Sequence, residues 1–96
     1  MSADEAMRIR LEKVDNDSSI KQRTREYYRF LHRRLNTSWP DLSSNDVRDI
    51  METDCEDWAG KYSKAVSATL YNNASAELRK ILEVAVEEGL RSINQG

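Results

Sequence analysis

Three glycines and one proline in 96 residues leave this chain few places to break a helix. Gly and Pro are the strongest local punctuation, so their scarcity favours long uninterrupted segments. No stretch alternates apolar and polar residues as a half-buried strand would, and apolar residues recur instead at intervals of three and four. The expectation is an all-α fold of four helices, arranged as an orthogonal or bundle-like set in a single domain. A chain this short supports one modest core. A hydrophobic fraction of 39% is nevertheless too apolar for a disordered segment.

The first helix is predicted from Ala3 to about Val14, with Ala6 or Met7, Ile9 or Arg10, and Val14 facing inward. "DNDSS" breaks it. The second runs from about Ser19 to Leu35, with Ser19 and Gln22 at capping-box spacing and Tyr27, Tyr28, Leu31 and Leu35 as its inner face. "NTSWPDLSSND" is a loop, because Pro40 pushes the residue before it out of the helical region. Val47 and Ile50 pin that loop to the core. A third helix opens at Thr53, again with capping-box spacing to Glu56, and buries Cys55, Trp58, Ala59 and Tyr62. Within it Gly60 costs about 1 kcal/mol relative to Ala, which hints at close packing. The fourth opens near Ser67, carries Leu70, Ala74, Leu78, Ile81, Leu82 and Ala85 on its core side, and ends at Gly89 as a C-cap.

A formal net charge of −2 hides a partition. Ile20 to Arg34, "IKQRTREYYRFLHRR", carries +5, whereas Asp41 to Trp58 carries −6 from seven acids against Arg48. Within the basic segment Lys21, Arg25, Arg29 and Arg33 recur every fourth residue and form a slowly drifting ridge, with Arg23 beside it. A solvated helix normally interleaves acids among such bases, and only Glu26 does so here. Taken alone, the ridge suits a polyanion and a solvated face equally. The stretch "AVSATLYNNASA", Ala65 to Ala76, holds no charge at all. At about 100° per residue, Thr69, Asn72, Asn73 and Ala76 point away from the core stripe. A small, neutral, hydrogen-bonding face of this kind suits close approach to a nucleic-acid groove, to another protein surface or to the neighbouring helix.

The segments "SSIKQRTREYYRFLHRRL", "DIMETDCEDWAGKYS" and "SATLYNNASAELRKILEVAVEEGLRSINQ" together resemble the core-binding domain of tyrosine recombinases, the phage integrases. The resemblance spans roughly Ser18 to Gln95. It rests on Thr24 near the start of the second helix, Ile50 before the third, Asn72 and the pair Leu78–Arg79 in the fourth, and the closing Ala85, Gly89, Leu90 and Asn94. Gln95 stands where the family usually carries Pro. The resemblance implies a SAM-like helical domain at residues 18–96, preceded by an N-terminal helix and linker at 1–17. It also implies that the domain forms half of a clamp on duplex DNA, while a catalytic domain bearing the strand-exchange residues lies elsewhere in the parent recombinase. The chain itself is then a DNA-binding fragment, not an enzyme, with the catalytic domain and other recombinase protomers as further partners. Lys21, Arg23, Thr24, Arg25, Arg29, Ser67, Thr69, Asn72 and Asn73 are the candidate DNA-binding residues. Lys80, on the far half of the fourth helix, is expected to stand apart from them. A helical protein–protein interaction module, of the death-domain or adaptor sort, is the alternative, since oppositely charged faces also dock on each other.

Other chemistry finds little support. His32 is the only histidine, so neither a histidine metal cluster nor a Ser/His/Asp triad can be assembled, and His32 is expected at the surface. Cys55 sits between acids on an apolar stripe, as a structural cysteine would. The acids of "ETDCED" suit a helix start and give no reason to invoke a metal. No Arg/His set surrounds any of the four tyrosines to stabilise a phosphoryl transition state. No cofactor, metal or small-molecule ligand is expected, and no membrane. There is no signal peptide, no apolar run near 18 residues and no cysteine pair, which fits a reducing cytoplasm.

Overall fold

The computed structural model describes residues 1–95, with side chains described through residue 89. Four α-helices follow one another: α1 (Ala3–Asn16), α2 (Gln22–Ser38), α3 (Glu52–Ala65) and α4 (Ala68–Gln95), with a 3-10 turn at Val47–Asp49 before α3. Among the described residues there is no strand, only one backbone bridge between Ser2 and Asp46. The fold is all-α.

The helix ends show where local chemistry departs from the sequence patterns. Ser2 caps α1, its Oγ accepting from Glu5 N–H at 3.1 Å, with Asp4 and Glu5 in the first turn. Ser19 does not cap α2. Its backbone N–H and its hydroxyl both donate to Asp17 Oδ1, at 3.0 and 2.6 Å, so an Asx turn takes the group that the capping box needed. The helix therefore starts later, behind Lys21. It also runs past Leu35 to Ser38 and stops ahead of the Trp39–Pro40 pair. In α3 the Asp54 carboxylate accepts from Met51 N–H at 2.9 Å, so the helix opens at Glu52 and the expected Thr53–Glu56 box is not used. Ser67 caps α4 through Leu70 N–H at 3.2 Å. Gly89 does not end α4, which continues to Gln95, and among the described residues no glycine adopts a positive φ.

Each of α1, α2 and α3 packs against α4. The shared core takes Ala3, Ala6 and Met7 from α1, Leu31 and Leu35 from α2, Trp58 and Tyr62 from α3, and Ala74, Leu78 and Ile81 from α4. Leu42, from the loop before the 3-10 turn, is as fully buried as any of them. That loop is also tied to the start of α1: Ala3 N–H donates to Asn45 O at 2.8 Å and Asp4 N–H to Ser43 O at 3.1 Å. Helix-start donors that would otherwise lack partners are thereby satisfied by the loop. Trp58 stacks on Tyr62 and on Trp39, with centroids 5.2 and 6.4 Å apart, and its indole N–H donates to Ser38 Oγ at 2.9 Å. The end of α2 is held to α3 in this way.

Three side chains lie elsewhere than expected. Tyr27 is exposed rather than on the inner face of α2, and His32 is buried rather than at the surface. Cys55 is only half-buried against the core, and its thiol is pushed up by that burial and by Asp54, Glu52 and Glu56, which keeps it protonated. Gly60 is likewise not a close-packing position, because a Cβ built there meets nothing within 4 Å.

Two stability outcomes follow. Gly60→Ala removes a helix-interior glycine at no steric cost and should stabilise the protein by about 0.5–1 kcal/mol. Leu42→Ala empties a fully buried site and should cost about 2–5 kcal/mol, although it lies in a loop. Urea denaturation of both variants checks the signs; a destabilised Gly60→Ala would mean that α3 is packed at that face.

Candidate nucleic-acid interface

Glu77 organises the region where α1, α2 and α4 meet. Its carboxylate is 2% exposed. Arg10 of α1 donates to it side-on, Nε to Oε2 at 3.0 Å and Nη2 to Oε1 at 3.1 Å, and His32 Nε2 of α2 donates to Oε2 at 2.7 Å. Burial on its own would raise this carboxyl, but the hydrogen bonds from His32 and Arg10, with the Arg10 charge, outweigh it and hold the group below the ordinary glutamate value. The Arg10 guanidinium also lies over the Tyr28 ring, 5.1 Å from its centroid.

Above this ion pair, between the first half of α2 and the middle of α4, lies a cleft of about 220 Å³. Thr24, Tyr27 and Tyr28 line it from α2, Asn73, Ala76 and Lys80 from α4, with Arg10 and Glu77 beneath. Helical spacing explains the α4 side, since Thr69, Asn73, Ala76 and Lys80 fall at i, i+4, i+7 and i+11. Asn73 Nδ2 donates to the Tyr27 hydroxyl at 2.8 Å and fixes the two helices across the cleft. Arg23 is four residues before Tyr27 on the same flank of α2 and is exposed.

The candidate residues are thus only partly brought together. Thr24 and Asn73 share the cleft, and exposed Thr69 is on the same face of α4. Asn72 is exposed one step around the helix. Ser67 is spent as the α4 cap. The basic ridge lies on the other flank of α2, toward α1. Arg25 Nη2 donates to the Asp17 carbonyl at 2.9 Å, and Arg29 pairs with Asp15 at 2.6 Å. Arg29 and Arg33 line a second groove with Asp4, Arg8, Glu12 and Asp15, where the charges balance. Lys21, at the start of α2, is exposed.

Arg10, Tyr27, Glu77 and Lys80 were not among the expected site residues, and Lys80 in particular joins the cleft rather than standing apart from it. A signal for Glu77 existed: it occupies the core-facing slot of the series Ala74, Glu77, Leu78, Ile81, where a charge calls for a buried partner. Among the described residues, no set of three His, Cys, Asp or Glu side chains could hold a metal ion. No helix there is long and apolar enough to cross a membrane. Leu90, Asn94 and Gln95, which carry the end of the integrase-like pattern, have side chains outside the described part. No protein-family model, curated protein or solved structure matches the chain.

The ion pair has a measurable pH signature. A carboxyl held low in the folded state gives stability that is fully present above its ordinary value, roughly 4.3, and is lost as pH falls through the lower folded value. Glu77→Gln should therefore flatten the acid limb of the stability curve. Glu77→Ala leaves half-buried Arg10 without its counter-charge and buried His32 without its acceptor, and should cost about 3 kcal/mol, the low end for a broken buried pair, at pH 7 in urea denaturation. An unchanged acid limb in Glu77→Gln would remove the carboxylate from this account.

Proposed function

We propose that this chain is a duplex-DNA-binding module, the core-binding half of a tyrosine-recombinase clamp, acting in the cytoplasm without catalytic groups of its own. The observation that carries the reading is the α2–α4 cleft and its rim. Lys80 lines the cleft without an acidic partner and exposed, unpaired Arg23 is one turn before Tyr27; Thr24 in the cleft, Thr69 on its face of α4 and Asn72 one step around are exposed neutral donors and acceptors; and the one carboxylate lining the cleft is already occupied by Arg10 and His32. Cations hold a backbone phosphate and fix register, while short amide and hydroxyl side chains reach base edges. The SAM-like resemblance at residues 18–96 supports a DNA-facing use of α2 and α4, and the parent recombinase would supply the other half of the clamp.

The split of the basic ridge changes which cations matter. Arg25 and Arg29 must break contacts with the Asp17 carbonyl and with Asp15 to meet DNA, whereas Arg23 and Lys21 are free to do so. Half a clamp binds weakly, in the non-specific range of about 10⁻⁴ to 10⁻⁶ M at physiological salt. Fluorescence anisotropy across a salt series tests this. Arg23→Ala should weaken binding to all sequences and reduce the salt slope by about one, and Arg29→Ala should do less. Asn72→Ala should cost more on a recombination site than on random DNA, with little change of slope. Binding that ignores salt, or none at millimolar protein, would leave a protein-interaction module as the better reading.

A further inference from the structure

The cleft between α2 and α4 contains more donors than the fold uses. Arg10 meets Glu77 with its Nε–Nη2 edge and lies against Tyr28, so the planar guanidinium turns its Nη1 group away from that carboxylate, toward the Tyr28 side of the cleft. Tyr27 accepts from Asn73, which leaves its own O–H to donate elsewhere. Lys80 and Thr24 line the same space, and neither side chain has a hydrogen-bond or ion-pair partner within the fold. The acceptors, apart from Glu77, are neutral: the hydroxyls of Thr24, Tyr27 and Tyr28 and the amide oxygen of Asn73. Both Glu77 oxygens are occupied, Oε1 by Arg10 and Oε2 by Arg10 and His32.

A donor-rich cleft whose only carboxylate is saturated favours an anion. Its volume, about 220 Å³, is below the roughly 300–1,000 Å³ of sites that enclose whole small molecules, and it suits a single charged group. A rationale for the buried ion pair follows as well. Glu77 holds Arg10 from below, so the guanidinium is in position before a ligand arrives and loses little side-chain freedom on binding.

We propose that this cleft is a socket for one phosphoryl oxyanion, bound by Arg10, Lys80, Tyr27 and Thr24. Its natural occupant, a backbone phosphate of duplex DNA, rests on the DNA-binding reading above; the oxyanion socket itself does not. It adds Arg10 and Tyr27 to the interface, gives Lys80 a defined ligand and makes the centre of the α2–α4 furrow a fixed point of register.

The test has two arms. In the first, inorganic phosphate is titrated into the ¹⁵N-labelled protein at constant ionic strength, with chloride as the reference anion. Saturable amide shifts should concentrate at Thr24, Tyr27, Asn73 and Lys80. Lys80→Gln, an exposed substitution that spares the core, should weaken them roughly tenfold, the size of one charge-assisted contact. Arg10→Lys keeps a cation for Glu77 but removes the second guanidinium edge, and it should weaken phosphate binding while the protein stays folded by circular dichroism. In the second arm, Lys80→Gln is compared with the parent protein on duplex DNA, where the salt slope should fall by about one. Saturable phosphate binding at the cleft without duplex binding would uphold the socket and sink the DNA reading alone. Duplex binding that is unchanged in Lys80→Gln, with phosphate shifts that are linear or spread over the surface, would overturn the socket and leave the DNA reading standing.

Discussion

A single buried carboxylate holds three of the four helices in register. Glu77 of α4 takes hydrogen bonds from Arg10 of α1 and His32 of α2, and none of the three can move without leaving a charged or polar group unpaired inside the protein. Desolvation makes such a site costly, and a well-packed apolar set could be as stable or more so. What apolar packing lacks is direction. The Arg10–Glu77 geometry is side-on and paired, so it fixes the rotation of α1 about α4 as well as the distance between them. The core around it, built from Leu31, Leu35, Leu42 and Ile81, supplies the bulk of the favourable burial.

That rotation decides what each flank of α2 can do. Toward α1, the arginines of the basic ridge meet the acids of α1 and the turn after it, and Arg29 pairs with Asp15 at 2.6 Å. Toward α4, the facing residues are Asn73, Ala76 and Lys80, so the cations there meet no free acid within the cleft. Exposed ion pairs contribute little stability, typically ~0–1 kcal/mol, so the ridge is not held shut strongly. Its cations are nevertheless screened by neighbours of opposite sign, and the local field on that flank is weaker than the count of arginines suggests. The sparser α4 flank keeps its positive character because nothing opposes it.

The sequence made the helical class and most of the core legible, since Leu31, Leu35, Trp58, Tyr62, Ala74, Leu78 and Ile81 all keep to their helical stripes. Helix ends were less legible, for a local reason: Ser19 had two possible partners, and the nearer one, Asp17, won. The same competition gave the α3 start to Asp54 in place of Thr53. Tyr27 and His32 were misread because single-helix periodicity ranks residues by polarity. It cannot know that a histidine at a core-facing position finds a carboxylate 45 residues away, or that a tyrosine hydroxyl is held at the cleft by an asparagine on α4. The candidate site was legible in its parts. Which flank of α2 faced which helix was not, because that depends on a tertiary ion pair and not on spacing.

The neutral start of α4 can be divided by the same reasoning. Asn and Thr are poor helix formers, each roughly 0.5–0.7 kcal/mol worse than Ala in a helix interior. For Asn73 the cost is offset within the fold, because its amide donates to Tyr27 and closes the cleft. Ser67 is offset too, as the cap of the helix. Thr69 and Asn72 are exposed, and no side-chain hydrogen bond within the fold accounts for them. A substitution series along this turn therefore separates two kinds of residue. Those with internal partners should reveal themselves in stability, whereas Thr69 and Asn72 should become more stable as alanine and declare their role only when a ligand lies across the α2–α4 furrow.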